Sequence, residues 1–182
     1  TVPPPAKRLK ILHLEDNSTD ALLVREMLAA DRVDCDLVVV SEPDEFERAL
    51  AQGDVDVVIS DYSLPHYCGT EALQRTRALG PETPFIFVSG SIGEERAVEA
   101  VRLGATDYVM KEHLRRLGLA VRRAVDAAES ARRRREAETR LEEERDFLVD
   151  VFSSVQDGLV VLDADLKIVR TNSTMEKLFP DR

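Results

Sequence analysis

Five short apolar runs, KILHL, DLVVV, VDVVIS, PFIFVS and TDYVM, recur along the chain between Lys10 and Met110. They are rich in β-branched residues and several are apolar throughout, the pattern of strands covered on both faces. Between them lie TDALLVREMLAAD, PDEFERALAQG, GTEALQRTRALG and GEERAVEAVRLG, each with apolar residues at helical spacing. The last three end on a glycine suited to a helix C-cap. This alternation predicts an α/β fold, a doubly wound five-stranded parallel sheet with helices on both sides. Ligands of such sheets sit outside the carboxyl ends of the strands, so that rim is the place to look for chemistry.

Four of the five runs lead into polar residues at that rim. The first leads into Glu15 and Asp16, the third ends at Asp61, the fourth at Ser89 and Gly90, and the fifth at Lys111. Singly each has an ordinary explanation: Asp16, Asn17 and Ser18 suit a helix cap, Ser89 a turn, Lys111 a snorkelling lysine. Together they bring three carboxylates, a hydroxyl and an ammonium to one edge. Two unit charges about 4 Å apart repel by roughly 4 kcal/mol at an effective dielectric of 20, so the cluster needs shifted pKa values or a cation. Oxygen donors select a hard ion, of which Mg²⁺ fits best. A carboxylate beside such an ion, with a lysine and a hydroxyl to receive negative oxygens, suits in-line phosphoryl transfer onto itself. Asp61, held at the end of a buried strand, is the candidate nucleophile.

After Lys111 the character changes. Residues 113–152 contain no proline and many strong helix formers, and read as one long helix. Leu117, Val121, Ala124, Ala128 and Ala131 follow a 3/4 repeat that Arg135 and Glu138 interrupt, a pattern that suits either a weak coiled-coil seam or a solvated helix carrying ion pairs. Residues 153–182 read as a strand, a DADLK turn, a second strand and the start of a helix, too few to bury a core of their own. The expected organisation is a lead over residues 1–8, an α/β domain over 9–112, a helical linker over 113–152 and the truncated front of another domain over 153–182.

The first part up to Glu112 holds 11 Lys and Arg against 21 Asp and Glu, and so carries the whole net charge of −10. That balance disfavours a nucleic-acid surface. No stretch approaches the roughly 18 apolar residues of a membrane span, and TVPPPAKR lacks the apolar region of a signal peptide, so a cytoplasmic location is expected. Cys35 and Cys68 are too few for a disulfide framework and read as free thiols.

The first 112 or so residues resemble the receiver domain of two-component response regulators, a family with a doubly wound sheet of flavodoxin-like order. The resemblance rests on Glu15-Asp16, Asp61, Pro65, Gly69, Ser89, Tyr108 and Lys111 at their places along the chain. It implies that Asp61 is the phosphoacceptor and that Asp16 and Asp61 ligate Mg²⁺ with the main-chain carbonyl of Ser63, Glu15 acting through water. Ser89 would bind the phosphoryl group, Lys111 pair with it, and Tyr108 serve as the aromatic switch. The implied partner is a sensor histidine kinase or phosphotransfer protein. Ser63 and Ser91 are the positions that would tune the lifetime of the phosphoryl group. Glu112 stands where the family usually has a proline after a cis peptide, so a cis bond and the usual loop after the fifth strand are not expected here.

Residues 152–179 resemble the opening of a PAS sensor domain, and receiver, helix and PAS in this order resemble bacterial regulators whose output lies further along. The chain is thus expected to relay the state of Asp61 through a helix that pairs as a homodimer. Two other readings compete. A haloacid-dehalogenase-like phosphatase needs a second acid two residues after its nucleophile, where Ser63 stands. A pseudo-receiver that only binds partners would not need Asp16, Asp61, Ser89 and Lys111 together.

Overall fold

The computed structural model describes residues 8–65, 67–90 and 94–178. Five parallel strands, β1 (Leu9–Leu14), β2 (Cys35–Val40), β3 (Val57–Asp61), β4 (Phe85–Ser89) and β5 (Asp107–Met110), form one sheet in the order β2-β1-β3-β4-β5. Helices α1 (Ser18–Ala30), α2 (Pro43–Ala51), α3 (Gly69–Leu79) and α4 (Glu94–Arg102) alternate with them.

The apolar runs divide by period two, as pleated strands require. Ile11, Val57, Ile59, Ile86, Val88 and Val109 pack on one face with Val24 and Leu28 of α1. Leu12, Leu14, Val58, Phe85 and Phe87 pack on the other with Phe46 and Leu50 of α2 and Leu73 of α3. Both faces are covered, which is why β3 and β4 are buried from end to end and carry no polar alternation. Of the three glycines expected to close helices, Gly53 and Gly104 adopt the left-handed backbone, with φ of 74° and 96°. Gly80 differs: its φ is −143°, and its N–H donates to the Thr76 carbonyl without a left-handed turn.

A 3-10 turn over Lys111–Arg116 follows β5 directly, and α5 (Leu117–Ser154) follows it. No peptide bond is cis among the described residues. The first third of α5 is not a linker. Leu114, Leu117, Val121, Ala124 and Val125 are buried in the same core as α1. The helices approach so closely that a Cβ at Gly118 would lie 2.5 Å from that of Asp31, and Arg122 donates to the Asp31 carbonyl at 2.7 Å. The first compact unit therefore continues past Glu112 to Ser130. Leu117, Val121 and Ala124, read as a dimer seam, are spent on this core because their 3/4 spacing matches one face of a helix lying on a sheet as well as it matches a coiled coil.

The second unit begins at Ala131. It contains the rest of α5, an antiparallel pair β6 (Val160–Leu162) and β7 (Ile168–Thr171), and α6 (Ser173–Leu178). Asp163 organises the DADLK turn by accepting from the N–H groups of Asp165 and Lys167, with Leu166 at φ 63°. Buried Asn172 ties the unit together: its Nδ2 donates to the carbonyls of Val155 and Asp157, and its Oδ1 accepts from the N–H groups of Leu159 and Met175. Among the described residues no helix is long and apolar enough to cross a membrane.

Candidate functional site

The register of the sheet builds the rim. Leu14 pairs with Ser60, Asp61 with Val88, and Ser89 with Met110, so Glu15, Asp61, Ser89 and Lys111 emerge side by side. Their order crosses the β1/β3 boundary, where the chain's winding reverses and a crevice opens at the strand ends.

Asp61 is nearly buried, with 8 % of its surface exposed. Its Oδ1 accepts from the Ser63 N–H at 3.0 Å and its Oδ2 from Lys111 Nζ at 2.7 Å. The loop that follows folds back on itself through a bridge between Ser63 and Cys68. Gly69 then starts α3 against the acceptor's own backbone: a Cβ there would lie 2.5 Å from the Asp61 carbonyl oxygen and 2.8 Å from the Phe87 ring.

Lys111 is the hub. Its Nζ donates to Glu15 Oε2 at 3.0 Å and to Asp20 Oδ2 at 2.5 Å as well as to Asp61. Burial works against its charge, but the bonds from Asp20, Asp61 and Glu15 outweigh that and hold its pKa above the ordinary lysine value. Glu15 has no exposed side-chain surface, and burial raises its pKa against the opposing pull of the Asn17 N–H and Lys111. Ser89 is buried at the end of β4, and Gly90 lies against the Lys111 stem, 3.5 Å from Cδ to a Cβ built there. The Tyr108 ring packs toward Phe87, centroids 6.4 Å apart, and its hydroxyl is buried without a partner among the described residues.

Two placements differ from the sequence reading. Asp16 is exposed and stands outside the group of carboxylates whose oxygens lie within 4.8 Å of one another, which consists of Glu15, Asp20 and Asp61. Asp20 enters from the first turn of α1, whose N-cap is Asn17 rather than Asp16. Sequence spacing carried one signal for it, since a first-turn acid lies one helical turn past the rim, but it sits on no strand end. Ser91 lies outside the described residues.

His13 shares a strand face with Ile11 and Glu15 and is fully buried, with neither ring nitrogen partnered among the described residues. Burial, helped by the charge of Lys111, lowers its pKa to about 4. The unfolded chain then takes up a proton near pH 6.5 that the folded chain refuses until about 4, so stability must fall as pH drops through that window. Urea unfolding at pH 7 and pH 5 should show a loss of roughly 2 kcal/mol from this group. His13→Leu should flatten the slope by that amount; an unchanged slope would mean that the imidazole titrates normally.

A model of the response regulator receiver domain matches residues 11–122. The chain belongs to this receiver family. Among curated relatives of the receiver, the transcriptional regulatory protein DltR of Streptococcus agalactiae is 31% identical over 103 residues, covering 57% of this chain and 45% of DltR. The cell cycle response regulator CtrA of Brucella ovis is 30% identical over 130 residues, 67% of this chain and 54% of CtrA. The chain thus spans about half the length of these two relatives. Among solved structures, the signal receiver domain of an HD domain-containing protein from Pseudomonas fluorescens Pf-5 matches with TM-score 0.64 at 25% identity, covering 73% of this chain and 98% of that one. A receiver domain from Clostridium thermocellum matches with TM-score 0.61 at 25% identity over 68% and 98%.

Proposed function

We propose that this receiver takes a phosphoryl group from the phosphohistidine of a sensor kinase or phosphotransfer protein onto Asp61. The observation that carries the reading is the Lys111 ammonium bonded to a nearly buried Asp61 at the end of β3, 2.7 Å away. A lone pair of the Asp61 carboxylate attacks phosphorus, the P–N bond of the donor breaks with its electron pair passing to the ring nitrogen, and the imidazole, protonated on its other nitrogen beforehand, departs neutral. The product is an acyl phosphate. Lys111 supplies charge to the phosphoryl oxygens, Ser89 a hydroxyl, and Ser63 N–H orients the carboxylate.

The donor set fits a hard divalent cation. Glu15, Asp20 and Asp61 together carry more negative charge than the one ammonium among them neutralises. Mg²⁺ would bind at this cluster on Asp61 and the Ser63 carbonyl with Glu15 behind a water, the exposed Asp16 next to Glu15 turning in to complete the set, and would supply charge compensation for the transferring group. Acetyl phosphate with Mg²⁺ should leave one acid-stable, base-labile phosphoryl group on the protein. No label, together with no binding of BeF₃⁻, would favour a pseudo-receiver that only binds partners.

The hairpin and α6 suit the front of a PAS domain. The second part of α5 leaves Leu141, Leu148 and Val151 exposed at spacings of seven and three. This stripe supports a parallel homodimer through that part of the helix, in place of the seam near Leu117. A spin label at Glu143 should report interchain distances that change with BeF₃⁻. A monomer at high concentration in both states would remove the dimer and leave Asp61 untouched.

A further inference from the structure

Lys111 holds three bonds with three protons, so its ammonium is saturated before any phosphoryl group arrives. To reach a phosphoryl oxygen it must give up a partner. Glu15 has no exposed side-chain surface, and Asp61 is the acceptor itself, its side chain 11 % exposed. Asp20 is the most exposed of the three, at 28 %, and its carboxylate regains water at the least cost when released. It also makes the shortest of the three contacts, 2.5 Å, from an element other than the strands that build the rim.

We infer that Asp20 is a positioning residue that tethers Lys111 in the resting receiver and is exchanged for the phosphoryl oxygens when Asp61 is modified. This rests on Asp61 being the phosphoacceptor. The tether stabilises the resting state relative to the phosphorylated one. Removing its charge therefore favours the modified state, through Lys111.

An anion near Asp61 would also gain simply from losing a neighbouring negative charge, and the test separates the two causes. Label incorporation from acetyl phosphate at saturating Mg²⁺ is measured for the wild type, Asp20→Asn, Lys111→Met and the double variant, and BeF₃⁻ affinity for the first two. Asp20→Ala serves as a second variant in case the asparagine amide finds a new bond. Asp20→Asn should raise both the rate and the affinity by roughly three- to tenfold, and the gain should vanish in the Lys111→Met background. An unchanged or lower rate in both Asp20 variants, or an equal gain without Lys111, overturns the tether. A wild-type protein that takes neither label nor BeF₃⁻ would instead overturn the phosphoacceptor reading.

Discussion

Asp61→Asn is expected to abolish phosphoryl incorporation while leaving the receiver folded. The amide that replaces the carboxylate has almost the same shape but only one acceptor oxygen, so it keeps the bond from Lys111 or the one from the Ser63 N–H and not both, while the apolar burial of β3 on both faces survives. What is lost is the lone pair that attacks phosphorus, because an amide oxygen or nitrogen is a far poorer nucleophile than a carboxylate. The site also loses one negative charge, which lessens the repulsion among the carboxylates around Lys111. Labelling by acetyl phosphate and Mg²⁺, followed by mass spectrometry, reads the outcome. Wild-type levels of phosphate on the variant would move the acceptor elsewhere.

Gly69→Ala should damage both the fold and the chemistry. A Cβ at this position meets the Asp61 carbonyl oxygen at 2.5 Å, the Phe87 ring at 2.8 Å and the Tyr62 Cα at 3.0 Å. Two of these neighbours are backbone at the end of a fully buried strand, and the third is a ring locked between Phe85 and Tyr62. None is a loose side-chain tip, so the backbone bearing the acceptor has to shift. Alanine's better helix propensity offsets about 1 kcal/mol at most. Overpacking of this kind costs about 1–3 kcal/mol or more, and a displacement near 1 Å at a nucleophile can lower a rate about a hundredfold. Denaturant midpoints and labelling rates, measured together, should both fall. Unchanged labelling in the alanine variant would mean that α3, not β3, gives way.

The strands were plain in the sequence because the sheet is covered on both faces, so that β3 and β4 are buried from end to end and the others still carry runs of apolar, mostly β-branched residues. The residues that end them were plain for the complementary reason that a charge cannot follow Ile59 or Val109 except at a rim. Asp20 was hidden because a helix's first turn favours an acid for its own electrostatic reasons, and nothing in the spacing distinguishes a dipole partner from a lysine tether. Asp16 looked like a member of the cluster because it follows Glu15, yet neighbouring residues leaving a strand point to opposite sides, and only Glu15 turns toward Lys111. The helix expected over residues 113–152 is there, but its first turns lie on the core rather than on a second chain, because Leu117, Val121 and Ala124 carry a helical stripe whose partner the sequence does not name. Gly80 shows the same kind of limit: its place after a helix suits a C-cap glycine, but its φ of −143° lies outside the left-handed region.

Asn172 has a mechanical meaning. Four hydrogen bonds from one amide join the carbonyls of Val155 and Asp157, just past the end of α5, to the N–H of Leu159 before β6 and of Met175 in α6, and Arg170 lies over the Phe152 ring, its guanidinium carbon 5.3 Å from the centroid. A serine hydroxyl at residue 173 and a threonine hydroxyl at 174 add bonds to the carbonyls of Ser153 and Val155. A flexible strap at this point would absorb any twist of the helix end as slack. The amide instead fastens the exit of α5, the hairpin and α6 to one another, so that none of the three can turn on its own without breaking its bonds.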